Sequence, residues 1–268
     1  MKKTLQIANI IGFVLVIIVN GLGGTSAIND TSIADISNAN PNFFTPAGYA
    51  FSIWGLIYLM LLGFTIYQSR SLFKPVRDDG FILKTGWWFV ISSVANIMWI
   101  TFWVYGFMEY SVLAIFVLLY SLLTIVMKNR MELWDAPISV IVFLWWPFVF
   151  YSGWVTVASI ANVSAYLTSI GWNAWGYSEI SWAVTMIIIT GIINLAVTWQ
   201  RNMREFALVG AWALIAICVA NWEVSPTVAN TSLGVAIILI ASSGYHGHLN
   251  RATNPGEKLK EYQNRHET

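Results

Sequence analysis

Long apolar runs alternate with short polar segments along most of the chain. Runs of this length predict membrane-spanning helices, because a bilayer core about 30 Å thick is crossed by about 20 helical residues. We place eight spans, at 5–24, 47–68, 86–105, 110–127, 137–165, 180–199, 206–222 and 227–245. The chain is therefore predicted to be an all-α integral membrane protein.

The first span has a second interpretation. Residues 1–27 carry Lys2 and Lys3, an apolar stretch and then small residues, which is also the order found in a secretory signal peptide. The run from Leu5 to Gly24 is long enough to cross a bilayer. This length favours a first helix that is retained in the protein.

The distribution of charge predicts how the helices are oriented. If the N-terminus is cytoplasmic, the inside segments are 1–4, 69–85, 128–136, 200–205 and 246–268, and they hold all 14 Lys and Arg residues. The charged residues of the outside segments are all acidic, namely Asp30, Asp35, Glu109, Glu179 and Glu223. Because Lys and Arg collect in cytoplasmic loops, both termini are predicted to be cytoplasmic, in the cell membrane if the protein is bacterial. The segment 246–268 is predicted to be a polar, partly disordered cytoplasmic tail.

Composition excludes several classes of function. The chain is 57% hydrophobic and 10% charged, whereas soluble domains carry about 25% charged residues. A net charge of +1 leaves no basic surface for nucleic acid. The single cysteine, Cys218, permits no disulfide framework or cysteine metal cluster. The bilayer is the predicted partner.

The spans contain no Asp, Glu, Lys or Arg, and all histidines lie beyond residue 245. Ion-coupled carriers usually need an ionisable group at depth, and general-base catalysis usually needs a histidine or carboxylate. His246 and His248 lack the further ligands that a metal site requires. We therefore predict no catalytic residue and no metal site, and catalytic activity stays an open question.

Three predicted spans carry aromatic residues on one face. Tyr151, Trp154, Ala158 and Asn162 are spaced i, i+3, i+7 and i+11, and eleven helical residues return to within about 20° of the starting direction. The same periodicity groups Asn96, Trp99 and Trp103 on the third span, and Trp54 and Tyr58 on the second.

These faces allow two interpretations. The asparagines could form hydrogen bonds between helices, which stabilise membrane bundles by about 0.6–2 kcal/mol each. Alternatively, aromatic rings together with amides suit a pocket for a flat polycyclic ligand with a few polar edges.

The same residues resemble the motifs of a known family. The order is P-x7-W-x3-Y (Pro46, Trp54, Tyr58), then N-x-x-W (Asn96, Trp99), then Y-x-x-W-x3-A-x3-N (Tyr151, Trp154, Ala158, Asn162). Over about residues 5–168 the chain resembles the TspO/translocator-protein family, the tryptophan-rich sensory proteins. The third motif is the most specific of the three.

The resemblance implies a five-helix bundle over 1–168, with the external loop 25–46 as a lid over an internal cavity. It implies hydrophobic small-molecule ligands such as porphyrins and related tetrapyrroles, sterols and drug-like aromatic compounds, and no required cofactor. The implied ligand-binding residues are Trp54, Tyr58, Asn96, Trp99, Trp103, Tyr151, Trp154, Ala158 and Asn162. Pro46 is expected to form the hinge between the lid and the second helix.

The chain also departs from the family pattern. The Pro-Tyr pair of the family's fifth helix is here Phe150-Tyr151, with a proline displaced to Pro147, and the doubled proline before the second helix is here Thr45-Pro46. Three additional helices are predicted over 169–245, where short family members end. They could pack against the bundle or mediate formation of a homo-oligomer.

The predicted function is a membrane receptor, sensor or transporter-like protein that binds a hydrophobic polycyclic ligand. One alternative is light- or redox-dependent degradation of a porphyrin in the same cavity. Another alternative is an alternating-access carrier of small apolar solutes, although carriers often show inverted repeats and none is clear here.

Overall fold

Eight long helices make up most of the protein. The computed structural model describes residues 1–76, 79–251 and 254–264. Within them the long helices are α1 (Lys2–Gly24), α2 (Gly48–Phe73), α3 (Trp88–Val104), α4 (Met108–Lys128), α5 (Ile138–Ser169), α6 (Glu179–Arg201), α7 (Arg204–Asn221) and α8 (Pro226–Leu249). Each predicted span overlaps one of these helices, and the all-helical fold class is confirmed.

Seven of the described helices are long and apolar enough to cross a membrane, and α3 is slightly shorter. With 17 residues, α3 is about 25 Å long, which is at the lower end of what spans a bilayer. The protein is therefore a multi-pass membrane protein. Its orientation across the membrane stays a prediction.

The first five helices form a closed ring. Helix α1 packs between α2 and α3, α4 packs on α3, and α5 packs on both α4 and α2. The ring order is thus α1, α2, α5, α4, α3. This arrangement turns one face of each helix inward, so that the predicted aromatic faces of α2, α3 and α5 meet.

The three additional helices join the ring through α7. Helix α7 packs on α5, while α6 and α8 pack on α7. In both α5 and α7, 67% of the residues in the most apolar 18-residue stretch of the helix are buried, whereas the share is 33% in α1 and α8. Helix α7 is therefore as much an interior helix as α5.

Small residues allow the close approach of α7. A Cβ atom added at Gly153 of α5 would lie 3.1 Å from the carbonyl oxygen of Phe206 on α7. On the other side of α7, a Cβ at Gly210 would lie 2.5 Å from the side-chain oxygen of Asn194 on α6. Larger side chains would push these helices apart, so both glycines fix the position of α7.

Helix α5 starts with a widened turn. Residues Ile141–Trp145 are π-helical, and the regular segment Trp146–Ser169 follows with Pro147 in its first turn. Proline has no N–H to donate to the preceding turn, and a π-helical turn is a common local adjustment. The displaced proline noted in the sequence therefore coincides with an irregularity at the start of the helix.

The segment between α1 and α2 covers one end of the bundle, which we call the lid end. The predicted loop 25–46 contains a short helix, Ile33–Ala39, that is capped by Ser32 and Asp35. The Ser32 hydroxyl accepts a hydrogen bond from the Asp35 N–H at 3.1 Å, and the Asp35 carboxylate accepts one from the Ser32 N–H at 2.8 Å. This reciprocal pair satisfies two donors at the start of the helix.

The opposite end carries the described Lys and Arg residues, and we call it the basic end. Helix α8 continues to Leu249, and a further helix, Pro255–Asn264, follows in the segment predicted as a tail. Lys258 of that helix pairs with Asp135 at 2.8 Å. Arg77 and Arg265, which the charge argument included, lie outside the described residues.

A buried carboxyl group lies in the connection between α4 and α5 at the basic end. Glu132 is 9% exposed, and its Oε1 atom has no hydrogen-bond partner within the described part of the chain. Desolvation by burial raises the pKa of Glu132, and the nearby Glu205 carboxylate raises it further, to about 8. The positive charge of Arg204 acts in the opposite direction. Burial and the neighbouring carboxylate therefore favour the protonated form of Glu132.

Candidate functional site

An internal cavity of about 50 Å³ lies at the lid end. Its walls come from α2, α3, α5 and α7, and the lid closes it. The lining residues are Ile33, Ser37, Thr45, Pro46, Phe51, Trp54, Trp99, Trp103, Trp154, Val157, Ala158, Ala161, Asn162, Ala165 and Ala213. All of these side chains are apolar or neutral, so the cavity offers rings and a few neutral polar groups to a bound molecule.

The structure brings most of the predicted ligand-binding residues to this cavity. Its lining includes Pro46, Trp54, Trp99, Trp103, Trp154, Ala158 and Asn162. Tyr58 instead lines an adjoining cleft of about 280 Å³ between α1, α2 and the lid helix. Asn96 and Tyr151 lie in neither lining. The assignment of all these residues to ligand binding stays a prediction.

The ring of Trp54 is central to the aromatic residues. Its centroid lies 6.0 Å from that of Trp99 and 6.2 Å from that of Trp154, and it stacks on Tyr58 at 5.4 Å. Ile33, Phe51 and Trp54 line both the cavity and the adjoining cleft. These three residues therefore form the partition between the two spaces.

The amide of Asn162 has both of its groups occupied by protein partners. Its Oδ1 accepts a hydrogen bond from Trp99 Nε1 at 2.8 Å, and its Nδ2 donates to the Ser111 hydroxyl at 2.9 Å. Asn162 thus links α5 to α3 and α4. For this residue the geometry fits the interpretation as a hydrogen bond between helices.

Beneath the cavity, four residues from four helices form a chain of hydrogen bonds. Tyr58 donates to Asn20 Oδ1, Asn20 Nδ2 donates to Asn96 Oδ1 at 2.7 Å, and Asn96 Nδ2 donates to the Tyr151 hydroxyl at 3.0 Å. We call these four residues the polar network. Asn96 and Tyr151 are fully or almost fully buried, and each meets the need of the other for a partner in an apolar surrounding.

Two hydrogen bonds fix the first half of the lid to α3. Trp103 Nε1 donates to the Ile33 carbonyl at 3.0 Å, and Asn29 Nδ2 donates to the Val104 carbonyl at 3.0 Å. The backbone at Asn29 has a positive φ of 57°, which asparagine tolerates better than most residues. The lid helix is thereby held at the mouth of the cavity.

Several lining residues escaped the sequence analysis. Phe51 precedes Trp54 and Tyr58 by three and seven residues, and Ala161 and Ala165 continue the face of Ala158, so helical periodicity contained a signal for all three. The lid residues Ile33 and Ser37 had no such signal. Ala213 lies on α7, whose sequence gave no sign that it faces α5.

These observations define a class: a multi-pass helical membrane protein with a lidded aromatic cavity inside a ring of five helices. In a comparison with sequence profiles of known families, the profile described as TSPO-like protein matches residues 6–245. The chain belongs to the TSPO-like protein family. The match extends past residue 168 and includes α6, α7 and most of α8. No curated protein and no solved structure was found to match the chain.

Proposed function

We propose that the protein binds a hydrophobic polycyclic ligand, of the porphyrin, tetrapyrrole or sterol-like class, in the cavity under the lid. It would act as a receptor, a sensor or a transporter-like protein in the membrane. The observation that carries the proposal is the convergence of four tryptophans from three helices on one neutral cavity. Aromatic side chains bind planar apolar molecules by stacking and edge-to-face contact.

One polar atom of a lining residue supports a ligand with a hydrogen-bond acceptor. Trp154 is 2% exposed, and its Nε1 donor has no acceptor among the described residues. Two other tryptophans of the lining, Trp99 and Trp103 on α3, already donate to Asn162 and Ile33. An acceptor on the ligand would satisfy a donor that is otherwise costly to leave unpaired.

The size of the cavity indicates how binding would proceed. Pockets for drug-sized ligands measure about 300–1,000 Å³, so a cavity of about 50 Å³ would have to widen before it holds such a ligand. Movement of Trp54 and Phe51 would join the cavity to the adjoining cleft of about 280 Å³. The proposed function therefore includes displacement of the lid and of these two rings when the ligand binds.

Titration of the purified protein with protoporphyrin IX in the dark tests the proposal. Porphyrin absorbance and its own fluorescence report binding without interference from the 15 tryptophans. Trp154→Phe keeps most of the ring area but removes the free N–H, and we expect it to weaken binding about tenfold. Trp87→Phe, at a position 51% exposed and outside the cavity, is the matched control.

Equal affinities of wild type, Trp154→Phe and Trp87→Phe would place the binding site elsewhere. The same preparation distinguishes the two other activities. A new product formed only under illumination would indicate porphyrin degradation. Net flux into proteoliposomes, relative to empty vesicles, would indicate a carrier.

A further inference from the structure

We propose that α7 is a latch for the second half of the lid, and that Trp212 and Asn221 are its positioning residues. By holding residues 43–50, α7 would set the rate at which ligand exchanges with the cavity. This role in exchange rests on the proposed function, whereas the hold on the lid does not. It gives the additional helices a role in the same site.

Three hydrogen bonds connect the second half of the lid and the adjoining first turn of α2 to α7. The N–H of Ala47 donates to the Ala216 carbonyl at 3.0 Å, and Trp212 Nε1 donates to the Ala50 carbonyl at 3.2 Å. Near the end of α7, Asn221 Nδ2 donates to the Phe43 carbonyl at 3.0 Å. All three involve backbone atoms of residues 43–50, so they constrain the path of the chain from the lid into α2.

Ring contact and burial strengthen this attachment. The Tyr49 ring meets the Trp212 ring edge to face, with centroids 5.2 Å apart. Asn221 is 4% exposed, and its amide also donates to the Ile217 carbonyl at 2.8 Å. If the Phe43 carbonyl moved away, this buried amide would lose one of its two acceptors.

The two halves of the lid are held by different parts of the protein. Asn29 and Ile33 bond to α3, which belongs to the five-helix ring. Phe43, Ala47 and Ala50 bond to α7, which lies outside it. The cavity-lining residues Thr45 and Pro46 lie in the chain between Phe43 and Ala47, which are both bonded to α7. Release from α7 would thus uncover the cavity while the lid helix stays in place.

Helix α7 is itself fixed, as a latch must be. Its backbone contacts α5 at Gly153, and Ala213, which has no exposed surface, lines the cavity one residue after Trp212. One face of α7 therefore closes the cavity wall, and the neighbouring positions hold the lid. The same helix connects the wall to its cover.

The test uses the full chain with the substitutions Trp212→Phe and Asn221→Ala, singly and together. Amide hydrogen exchange of the ligand-free protein is measured on peptides that cover residues 43–50. It reports this segment directly, because the Ala47 N–H is the donor of one of the three hydrogen bonds. We expect about tenfold faster exchange there in the double variant. Peptides covering 29–36 should keep the wild-type rate, because their attachment is to α3.

Stopped-flow measurement with protoporphyrin IX then tests the role in exchange. The double variant should show association and dissociation rates several times the wild-type values. Trp222→Phe is the matched control, because Trp222 follows α7, is 57% exposed and is absent from the lid contacts. It should leave both exchange and binding rates unchanged.

The outcomes separate the latch from the proposed function. Wild-type protection at 43–50 in the double variant, or in Trp212→Phe if the double variant does not fold, would overturn the latch. Faster hydrogen exchange at 43–50 in the double variant, together with no porphyrin binding by the wild type, would support the attachment of the lid to α7 and overturn the proposed function. Faster exchange with unchanged binding rates would overturn the role of α7 in ligand exchange.

Discussion

The cavity and the polar network beneath it share helices α2, α3 and α5, yet they differ in how their polar groups are used. In the network, Tyr58, Asn20, Asn96 and Tyr151 bond to one another from helix to helix. In the cavity lining, Trp99 and Trp103 donate to protein atoms, whereas the buried Trp154 N–H has no protein acceptor. One layer closes on itself, and the layer above it keeps a donor and its ring faces available.

The difference shows why a single helical face can have two roles. Tyr151 and Trp154 are neighbours on one face of α5, but Tyr151 contributes its hydroxyl to the network, whereas Trp154 contributes its ring to the cavity wall. A buried polar group without a partner is costly in an apolar surrounding, and the network supplies that partner for the Tyr151 hydroxyl, whereas the Trp154 N–H has no protein acceptor. The position along the helix therefore decides whether a residue serves stability or binding.

The largest expected effect comes from filling the cavity. Ala158→Leu adds three carbon atoms to the wall of a space of about 50 Å³, and we expect porphyrin affinity to fall at least about a hundredfold, a loss of about 2.8 kcal/mol. Dark titration by porphyrin absorbance measures it. Ala241→Leu adds the same volume at an exposed position of α8 and should bind as wild type. Unchanged affinity in Ala158→Leu would separate ligand binding from the cavity.

The second prediction concerns pH, because the described residues of both layers include no carboxyl, amino or imidazole group, whereas the basic end does. The pKa of Glu132 is raised from 4.5 to about 8, so the folded state binds more protons than the unfolded state between these values. Stability should therefore fall as pH rises from about 5 to about 8 and then level off. Thermal unfolding of detergent-solubilised protein across this range measures the trend.

Glu132→Gln removes the titrating group and should flatten this trend, while the affinity for an uncharged probe such as cholesterol should stay constant with pH in both proteins. A pH slope in the Gln variant equal to that of wild type would show that another group controls stability. A pH-dependent affinity for the uncharged probe would show that the cavity is coupled to the basic end.

A smaller loss is expected from the polar network. Tyr151→Phe removes one hydroxyl and leaves the Asn96 amide without its acceptor, which should cost about 1–3 kcal/mol of stability. Porphyrin affinity should change much less, because Tyr151 does not line the cavity. Tyr120→Phe makes the same chemical change at a position 61% exposed and should be neutral. Thermal unfolding compares the two, and equal stability would show that the network contributes nothing.

The smallest effect is expected at the hinge. Pro46→Ala should change stability by less than about 1 kcal/mol, because the lid keeps its hydrogen bonds to α3 and α7. Both ligand association and dissociation should become faster, since the lid backbone gains freedom. Stopped-flow kinetics measures both rates. Rates identical to wild type would refute the hinge that the sequence predicted at Pro46.

The sequence was sufficient to predict the helices and their inward faces. A run such as 206–222 predicts a spanning helix from length and apolarity alone, because a bilayer requires both. Helical periodicity placed Trp99 on the aromatic face of the third span and Asn162 on that of the fifth, and the structure joins them by a hydrogen bond of 2.8 Å. These features depend on local spacing, which a single sequence displays.

Other features depend on which helices become neighbours. That α7 rather than α6 or α8 packs on α5 depends on Gly153 meeting the Phe206 backbone, and one glycine in a long apolar run does not indicate its partner. The lid attachments are also hidden, because Ile33, Phe43 and Ala50 accept through backbone carbonyls that every residue has. Asn162 illustrates the same limit, since its spacing allowed either a ligand or another helix as its partner.

The bonds between the lid and α7 also bear on how the protein is made. Two of them join residues that are separated by 162 and 178 positions in the chain. Contacts between residues so far apart form late. During synthesis, the five-helix ring and the first half of the lid can assemble while α7 is still inside the ribosome. The cavity then lacks the wall at Ala213 and one side of its cover. A nascent chain whose ring assembles first therefore passes through a stage with an open aromatic cavity, and insertion of the seventh helix ends that stage.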